Sequence, residues 1–238
     1  MSLAKPFNTR PLYQQVADEF VSRIINRTWA PGQLIENEAE IARSLGISLG
    51  TVRKAFDILT ENKLLERHQG KGTIVVDFEG DKMRSRFSNI ADRSGNRVSG
   101  EVVIGEVDLV LPRPDVVERL QVNERTPVLA FERRRTHLGR LFMVEDVFLR
   151  VPSHPSTMGA DEMRRLASAG WTGQDIATYK IEKIGSTLAS ETDRQAYGLG
   201  GETALLTLDR VIYSYQNRAL ELRIARCDLG DDLDYQAD

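Results

Sequence analysis

Residues 34–76 read LIENEAEIARSLGISLGTVRKAFDILTENKLLERHQGKGTIVV, and the order of signals in this stretch decides the fold of the first part of the chain. Asn37, followed three residues later by Glu40, predicts a capped helix start, with Ile41 and Leu45 facing a core. Gly46 stands where the chain must turn, because glycine adopts positive φ at little cost. Ser48 predicts a second cap, of a helix running to about Asn62 whose apolar stripe is Val52, Phe56 and Leu59. Thr51, Arg53 and Lys54 fall off that stripe and are free to reach outward. Leu64–His68 and Thr73–Val76 then read as two strands joined by Gln69-Gly70-Lys71-Gly72. Two glycines flanking a lysine let backbone amides approach phosphates closely, while Lys71 supplies charge. Short helix pairs with a glycine turn arise often by chance. A basic hairpin directly after the pair turns it into a candidate winged helix-turn-helix, a shape that fits a DNA groove.

Upstream, apolar residues at Leu12, Val16, Phe20 and Ile24 recur at helical period and predict a helix over about Pro11–Arg27, with Pro11 in its first turn. Trp29-Ala30-Pro31-Gly32 breaks it. The whole chain has 238 residues, 41% hydrophobic and 28% charged, which suits one large or two modest globular domains. Its net charge is −3, but residues 1–76 carry 10 Lys+Arg against 8 Asp+Glu and the remainder 22 against 27. The first part is therefore basic by two and the second acidic by five, so any grip on DNA depends on a few placed charges. No apolar run reaches the roughly 18 residues that span a bilayer, and no signal-peptide pattern opens the chain. The single cysteine, Cys227, rules out an internal disulfide framework and fits a reducing cytoplasm. His68, His137 and His154 lack ligand spacing, so no metal or other cofactor is expected. The start Met1-Ser2-Leu3 carries no argument.

Asp77 to about Ser99 is polar and contains Gly80, Arg84, Arg86 and Gly95. It reads as a linker (77–86) entering a second domain (87–238), with Phe87 its first buried anchor. Beyond it an internal repeat appears: Leu120–Arg133 aligns with Tyr197–Arg210. Each copy is a helix end, a turn and a strand ending in arginine. Each continues through a turn (Leu138-Gly139-Arg140; Gln216-Asn217-Arg218) into a strand carrying a glutamate, Glu145 or Glu221. Two related helix–hairpin units predict a pseudo-symmetric α+β domain on an antiparallel sheet. On the strand from Val128, Leu129, Phe131, Arg133 and Arg135 share one face. Arginines that end an apolar face need anionic partners. Glu145, between Met143 and Val147, neutralises one of them. A small anionic ligand would neutralise the other, unless the strand end is simply solvated and the Arg133–Glu145 pair structural. The face of Glu221 carries Ala219, Arg223 and Ala225, a weaker signal.

The first part resembles the winged helix-turn-helix of the GntR family of bacterial transcription regulators, over residues 11–76. The resemblance rests on Pro11-Leu12-Tyr13, Pro31-Gly32, Glu38-Ala39-Glu40-Ile41-Ala42, Gly46-Ile47-Ser48, Thr51-Val52-Arg53 and Gln69-Gly70-Lys71-Gly72-Thr73. It implies a DNA-binding set of Ser48, Leu49, Thr51, Arg53, Lys54, Gly70, Lys71 and Gly72. Glu36 and Asn37 depart from the family's proline and serine. Ala39 and Leu49 stand where many members carry arginine, and Leu49 is suited instead to touch a thymine methyl. Residues 87–235 resemble the effector-binding (UTRA) domain of the HutC subfamily, similar in fold to chorismate lyase. That implies an effector pocket drawn from Phe87, Arg133, Arg135, Glu145, Arg210 and Glu221. Pro152–Lys180 matches poorly and holds Trp171 and Tyr179, which are placed to shape a distinct pocket.

These readings imply a cytoplasmic, homodimeric repressor that binds a pseudo-palindromic operator and answers to a small, anionic metabolite, with no membrane partner. One alternative is a DNA-binding protein whose second domain only dimerises. The other is an enzyme of the lyase-like fold, against which stands the attached DNA reader.

Overall fold

A computed structural model of the chain describes residues 10–77, 87–151, 158–169 and 175–237. Met1-Ser2-Leu3, Gly80, Arg84, Arg86, His154 and Trp171 lie outside them. Contacts divide the chain into two units, with the division after Phe78. No helix among the described residues is long and apolar enough to cross a membrane.

The first unit opens with α1 (Leu12–Ile25). Pro11 is its N-cap and lies just outside the first turn. A pyrrolidine without an N–H costs nothing there, since the first amides of a helix have no intrahelical acceptor. α1 buries Val16, Ala17, Phe20, Val21 and Ile24 against α3 (Leu49–Glu61), which buries Val52, Ala55, Phe56 and Leu59. α1 ends at Ile25 with Asn26 as its C-cap, ahead of Trp29, whose role is in the core. Its ring lies 4.9 Å from Phe20 and 6.3 Å from Phe56, closing an aromatic cluster between the helices.

Between them runs α2 (Glu38–Leu45). Asn37 and Glu40 form the expected reciprocal capping box. Gly46 ends α2 at φ 64°, a conformation that other residues adopt only with strain. Ile41 is buried, but Leu45 is 36% exposed and does not face the core as its spacing predicts. Ser48 caps α3 by accepting from the Thr51 amide. β2 (Leu65–His68) and β3 (Gly72–Val75) form the hairpin, and β3 also pairs with a short strand, β1 (Leu34–Ile35), that periodicity does not reveal. The wing is thus three-stranded, in the order β1-β3-β2.

The second unit is built on one antiparallel six-stranded sheet. Its strands are β5 (Glu101–Val110), β6 (Val128–His137), β7 (Arg140–Arg150), β8 (Ala177–Leu188), β9 (Ala204–Ser214) and β10 (Ala219–Cys227), in spatial order β5-β6-β7-β10-β9-β8. That order is a palindrome of the repeat. α4 (Pro114–Leu120) joins β5 to β6, and α6 (Glu191–Tyr197) joins β8 to β9. The duplicated unit therefore includes a leading strand, β5 or β8, which the sequence comparison does not detect. The two hairpins meet along β7 and β10.

One sheet face is covered by α4, whose Val116 and Leu120 pack with Val128, Val211 and Leu222. The other face packs against α5 (Ala160–Ala169) through Leu129, Phe131, Val147, Leu149 and Ala167. It also packs against Ile90 and Leu233, on a small ladder of β4 (Ile90–Asp92) with β11 (Leu233–Tyr235). Residues 87–99 are therefore integral to this unit; Ser88 and Asn89 are buried there.

Candidate functional site

On the first unit, the residues assigned to DNA lie along the exposed side of α3 and at the tip of the wing. The Ser48 hydroxyl accepts from the Thr51 amide at 3.1 Å and shares a 2.8 Å hydrogen bond with the Thr51 hydroxyl, so the two set the geometry of the helix start. Leu49 is exposed at that start. Lys54 extends over the Tyr13 ring, its nitrogen 5.5 Å from the centroid. Arg53 pairs with Glu38 at 3.0 Å. Gly70, Lys71 and Gly72 border the same open cleft as Leu49 and Arg53. Arg67 also borders it, bound to Glu38 at 2.9 Å and to Asp57 at 2.8 Å. Its place within a strand pattern gave no sign that it would join the recognition helix.

On the second unit, a cavity of about 310 Å³ opens over the sheet face that carries Arg133 and Arg135. Pairing explains how its charges converge. Arg133 lies opposite Glu145 across β6 and β7, and Arg223 lies opposite Val147 across β7 and β10. Directly opposed residues share a face, so side chains from three strands meet on one surface. Arg133, Arg135, Glu221 and Arg223 line the cavity, with Phe131, Leu149 and Ala167 as apolar walls and Ser99 and Gly100 at one side. Gly100 is required there: it sits at φ 70°, and a Cβ would come within 2.8 Å of the Thr136 carbonyl oxygen.

Glu145 does not line the cavity. It lies fully buried, and one of its oxygens, Oε2, accepts from both Arg133 Nε at 2.7 Å and Arg135 Nε at 2.9 Å. Glu221 accepts from Arg133 at 3.3 Å and from Arg223 at 2.7 and 3.0 Å. The Ser99 carbonyl accepts from Arg135 Nη1 at 2.6 Å. Burial opposes ionisation of Glu145, but the guanidiniums of Arg133, Arg135, Arg223 and Arg210 outweigh it and hold this carboxyl well below the usual range. Glu221 is lowered in the same way, against its own burial, by Arg223 and Arg133. Burial, aided by the neighbouring Arg133 and Arg223, lowers Arg135 to about 10, so it stays charged at neutral pH.

Besides Glu145, two further sequence-assigned residues do not line the cavity. Arg210, opposite Arg223 on β9, is buried among Glu182 and, at 3.8 Å, Glu145. It shares the sheet face of Arg223 but does not line the cavity. Phe87 packs with Ala177, Ile212 and Leu220 in a separate core cluster. It is the buried anchor that the sequence predicts and does not reach the cavity. Arg223 is a charged lining residue outside the set that the resemblance implies. Its signal was present, two residues from Glu221 on the same face. Tyr179 stacks on Tyr213 at 4.9 Å and is also not among the lining residues.

Comparison with known proteins bears on both units. Residues 12–75 match the family of bacterial regulatory proteins called gntR, and residues 97–229, more than half of the chain, match the UTRA domain. The chain is 36% identical over 87 residues to the histidine utilization repressor of Pseudomonas putida, covering 37% of this chain and 35% of the relative. It is 29% identical over 151 residues to the mannosyl-D-glycerate transport/metabolism system repressor of Escherichia coli, covering 61% of each. The matched stretches thus span between a third and three fifths of these relatives. Among solved structures, one described as the ligand-binding domain of a GntR-family transcriptional regulator from Bordetella bronchiseptica superimposes with a TM-score of 0.54 at 18% identity. It covers 65% of this chain and 98% of that one, which establishes a shared fold. The winged helix-turn-helix and the palindromic six-stranded sheet are the two parts these matches cover, and the chain belongs to the GntR family of bacterial regulators that carry a UTRA domain.

Proposed function

We propose that this chain is a cytoplasmic transcription repressor that binds operator DNA through its first unit and is controlled by a small anionic metabolite in the cavity of its second. The observation that carries the reading is the sharing of Glu145. Two buried guanidiniums bond to a single carboxylate oxygen, and Arg135 has no other acidic partner among the described residues. A buried cation with half a counter-ion is poised to take an anion, and its hydrogen bonds to carboxylate or phosphate are charge-assisted. In the names of the two relatives, both repressors of metabolic systems, the repressor reading finds further support.

On the operator, the α3 helix enters the major groove, Arg53 reads a base edge and the Gly70–Gly72 tip lies along the backbone. A pseudo-palindromic site requires two copies. The edge strand β8, with no partner on its outer side among the described residues, exposes Ile184 and Leu188 on one face and Ile181 on the other. An apolar edge of this kind favours pairing with a second copy of the chain. The effector acts by preferring one dimer geometry, and its effect on operator affinity equals that preference and no more.

The test is a thermal-shift screen against histidine-pathway intermediates, sugar phosphates, phosphonates and mannosyl-D-glycerate, followed by operator release with any stabilising compound. Arg133→Ala is expected to keep operator binding and lose release. Release that persists in that variant refutes the cavity assignment. Turnover of a stabilising compound would favour catalysis over regulation.

A further inference from the structure

The cleft between α2, α3 and the wing holds four charged side chains that the DNA-binding assignment does not use together. Glu38 is the first residue of α2. Its Oε2 accepts from Arg53 Nε at 3.0 Å and its Oε1 from Arg67 Nη2 at 2.9 Å. The other terminal nitrogen of Arg67 pairs with Asp57 at 2.8 Å. The Glu38 side chain is 20% exposed and that of Arg53 60%. The carboxylate therefore lies low in the cleft with the recognition-helix arginine standing over it.

We propose that Glu38 is a positioning and specificity-determining residue for DNA reading, an inference that rests on the operator-binding function proposed above. By holding Arg53 through Nε, Glu38 leaves the two terminal nitrogens of Arg53 bonded to no described residue. That outward edge is the one that meets guanine O6 and N7 in a bidentate contact. An arginine without this tether has several rotamers open to it, and the phosphates lie within reach of many of them. Because Arg67 sits on β2 and shares the same carboxylate, Glu38 also fixes the wing against the recognition helix. The two arginines and two carboxylates sum to zero charge. The network thus adds geometry at the groove while contributing little to sequence-independent attraction.

The experiment measures binding of the full chain and its variants to an operator-bearing genomic fragment and to random duplex, between about 50 and 200 mM salt. Glu38→Gln is expected to tighten random-duplex binding. Its log–log salt slope should steepen by about 0.9 for each arginine released to a phosphate. The operator-to-random affinity ratio should fall by about tenfold, the loss of one bidentate base contact. Glu36→Gln removes the same charge from an exposed residue of the same cleft and is expected to leave the ratio near wild type. Glu38→Asp keeps the charge on an arm too short to span both arginines, and is expected to steepen the slope less than Glu38→Gln does while losing part of the ratio. Unchanged melting of the first unit confirms that each variant is folded. A wild-type ratio and slope in Glu38→Gln, or equal changes in Glu36→Gln, overturns the proposal. Absence of any preference by the wild-type chain counts against the operator-binding reading instead, and the random-duplex slopes of the variants still decide the role of Glu38.

Discussion

Replacing Glu145 by Gln removes one charge from the buried cluster that holds Arg133 and Arg135 and leaves the volume nearly unchanged, so packing loss drops out of the comparison. In the folded chain this carboxylate is fully buried and accepts two guanidinium hydrogen bonds, at 2.7 and 2.9 Å. Bonds to a charged group are worth about 1.5–3 kcal/mol each. Removing one member of a buried ionic cluster costs about 3–5 kcal/mol, because the remaining charges stay desolvated. The two estimates overlap, and the lower end applies, since glutamine still accepts one bond. A chain of this size loses about 2–4 °C per kcal/mol, so the melting transition of the second unit should fall by about 6–12 °C at pH 7.

The pH dependence adds a sign that packing cannot mimic. Glu145 ionises in the folded state well below its ordinary value of 4.5. The unfolded state therefore binds the proton first on acidification. Its contribution is complete above the ordinary value and is lost as pH falls through the lower folded-state value. Wild type and variant should differ fully at neutral pH and converge below about pH 4.5. Calorimetric melts from pH 7 to pH 3 read both effects. A variant as stable as wild type at pH 7, or a gap that stays constant with pH, refutes the shared-carboxylate account of Arg133 and Arg135.

Arg53→Ala should weaken operator binding by about 1–3 kcal/mol, roughly 5- to 150-fold in a gel-shift titration; unchanged affinity removes Arg53 from the base-reading set. Asn37→Ala removes the side-chain acceptor of the α2 capping box, which takes the Glu40 amide, and should lower the stability of the first unit by about 0.5–2 kcal/mol in a denaturant melt, with the second unit unaffected. Burial pushes the Cys227 thiol up to about 12, so at pH 8 a thiol reagent should leave native protein unmodified and label it on unfolding. Rapid labelling of the native chain would place Cys227 at the surface.

Local signals made the first unit legible down to single residues. Asn37, Glu40, Gly46 and Ser48 each act within one turn of their own position, through a cap or a positive φ, and the structure finds each in its expected role. Leu45 and β1 escaped because neither depends on local pattern. Leu45 has helical spacing but lies beyond the edge of the small core, and a two-residue strand owes its existence to β3 beside it. In the second unit, alternation placed Arg133, Arg135 and Glu145 on one face. It did not separate residues that line the cavity from residues that share the face without lining it, so Arg223 lines the cavity while Glu145 and Arg210 do not.

By itself, then, the sequence determined the winged helix-turn-helix, the duplicated hairpins and the arginines on one strand face, because capping, turns and side-chain alternation are properties of neighbouring residues. Only the tertiary structure decided which charges meet. The register of β6, β7 and β10 brings residues 133, 145 and 221 to one surface, and the fold of α2 against the wing gives Arg53 and Arg67 a common carboxylate. Electrostatic interaction depends on distance through space and on burial, and neither is set by separation along the chain.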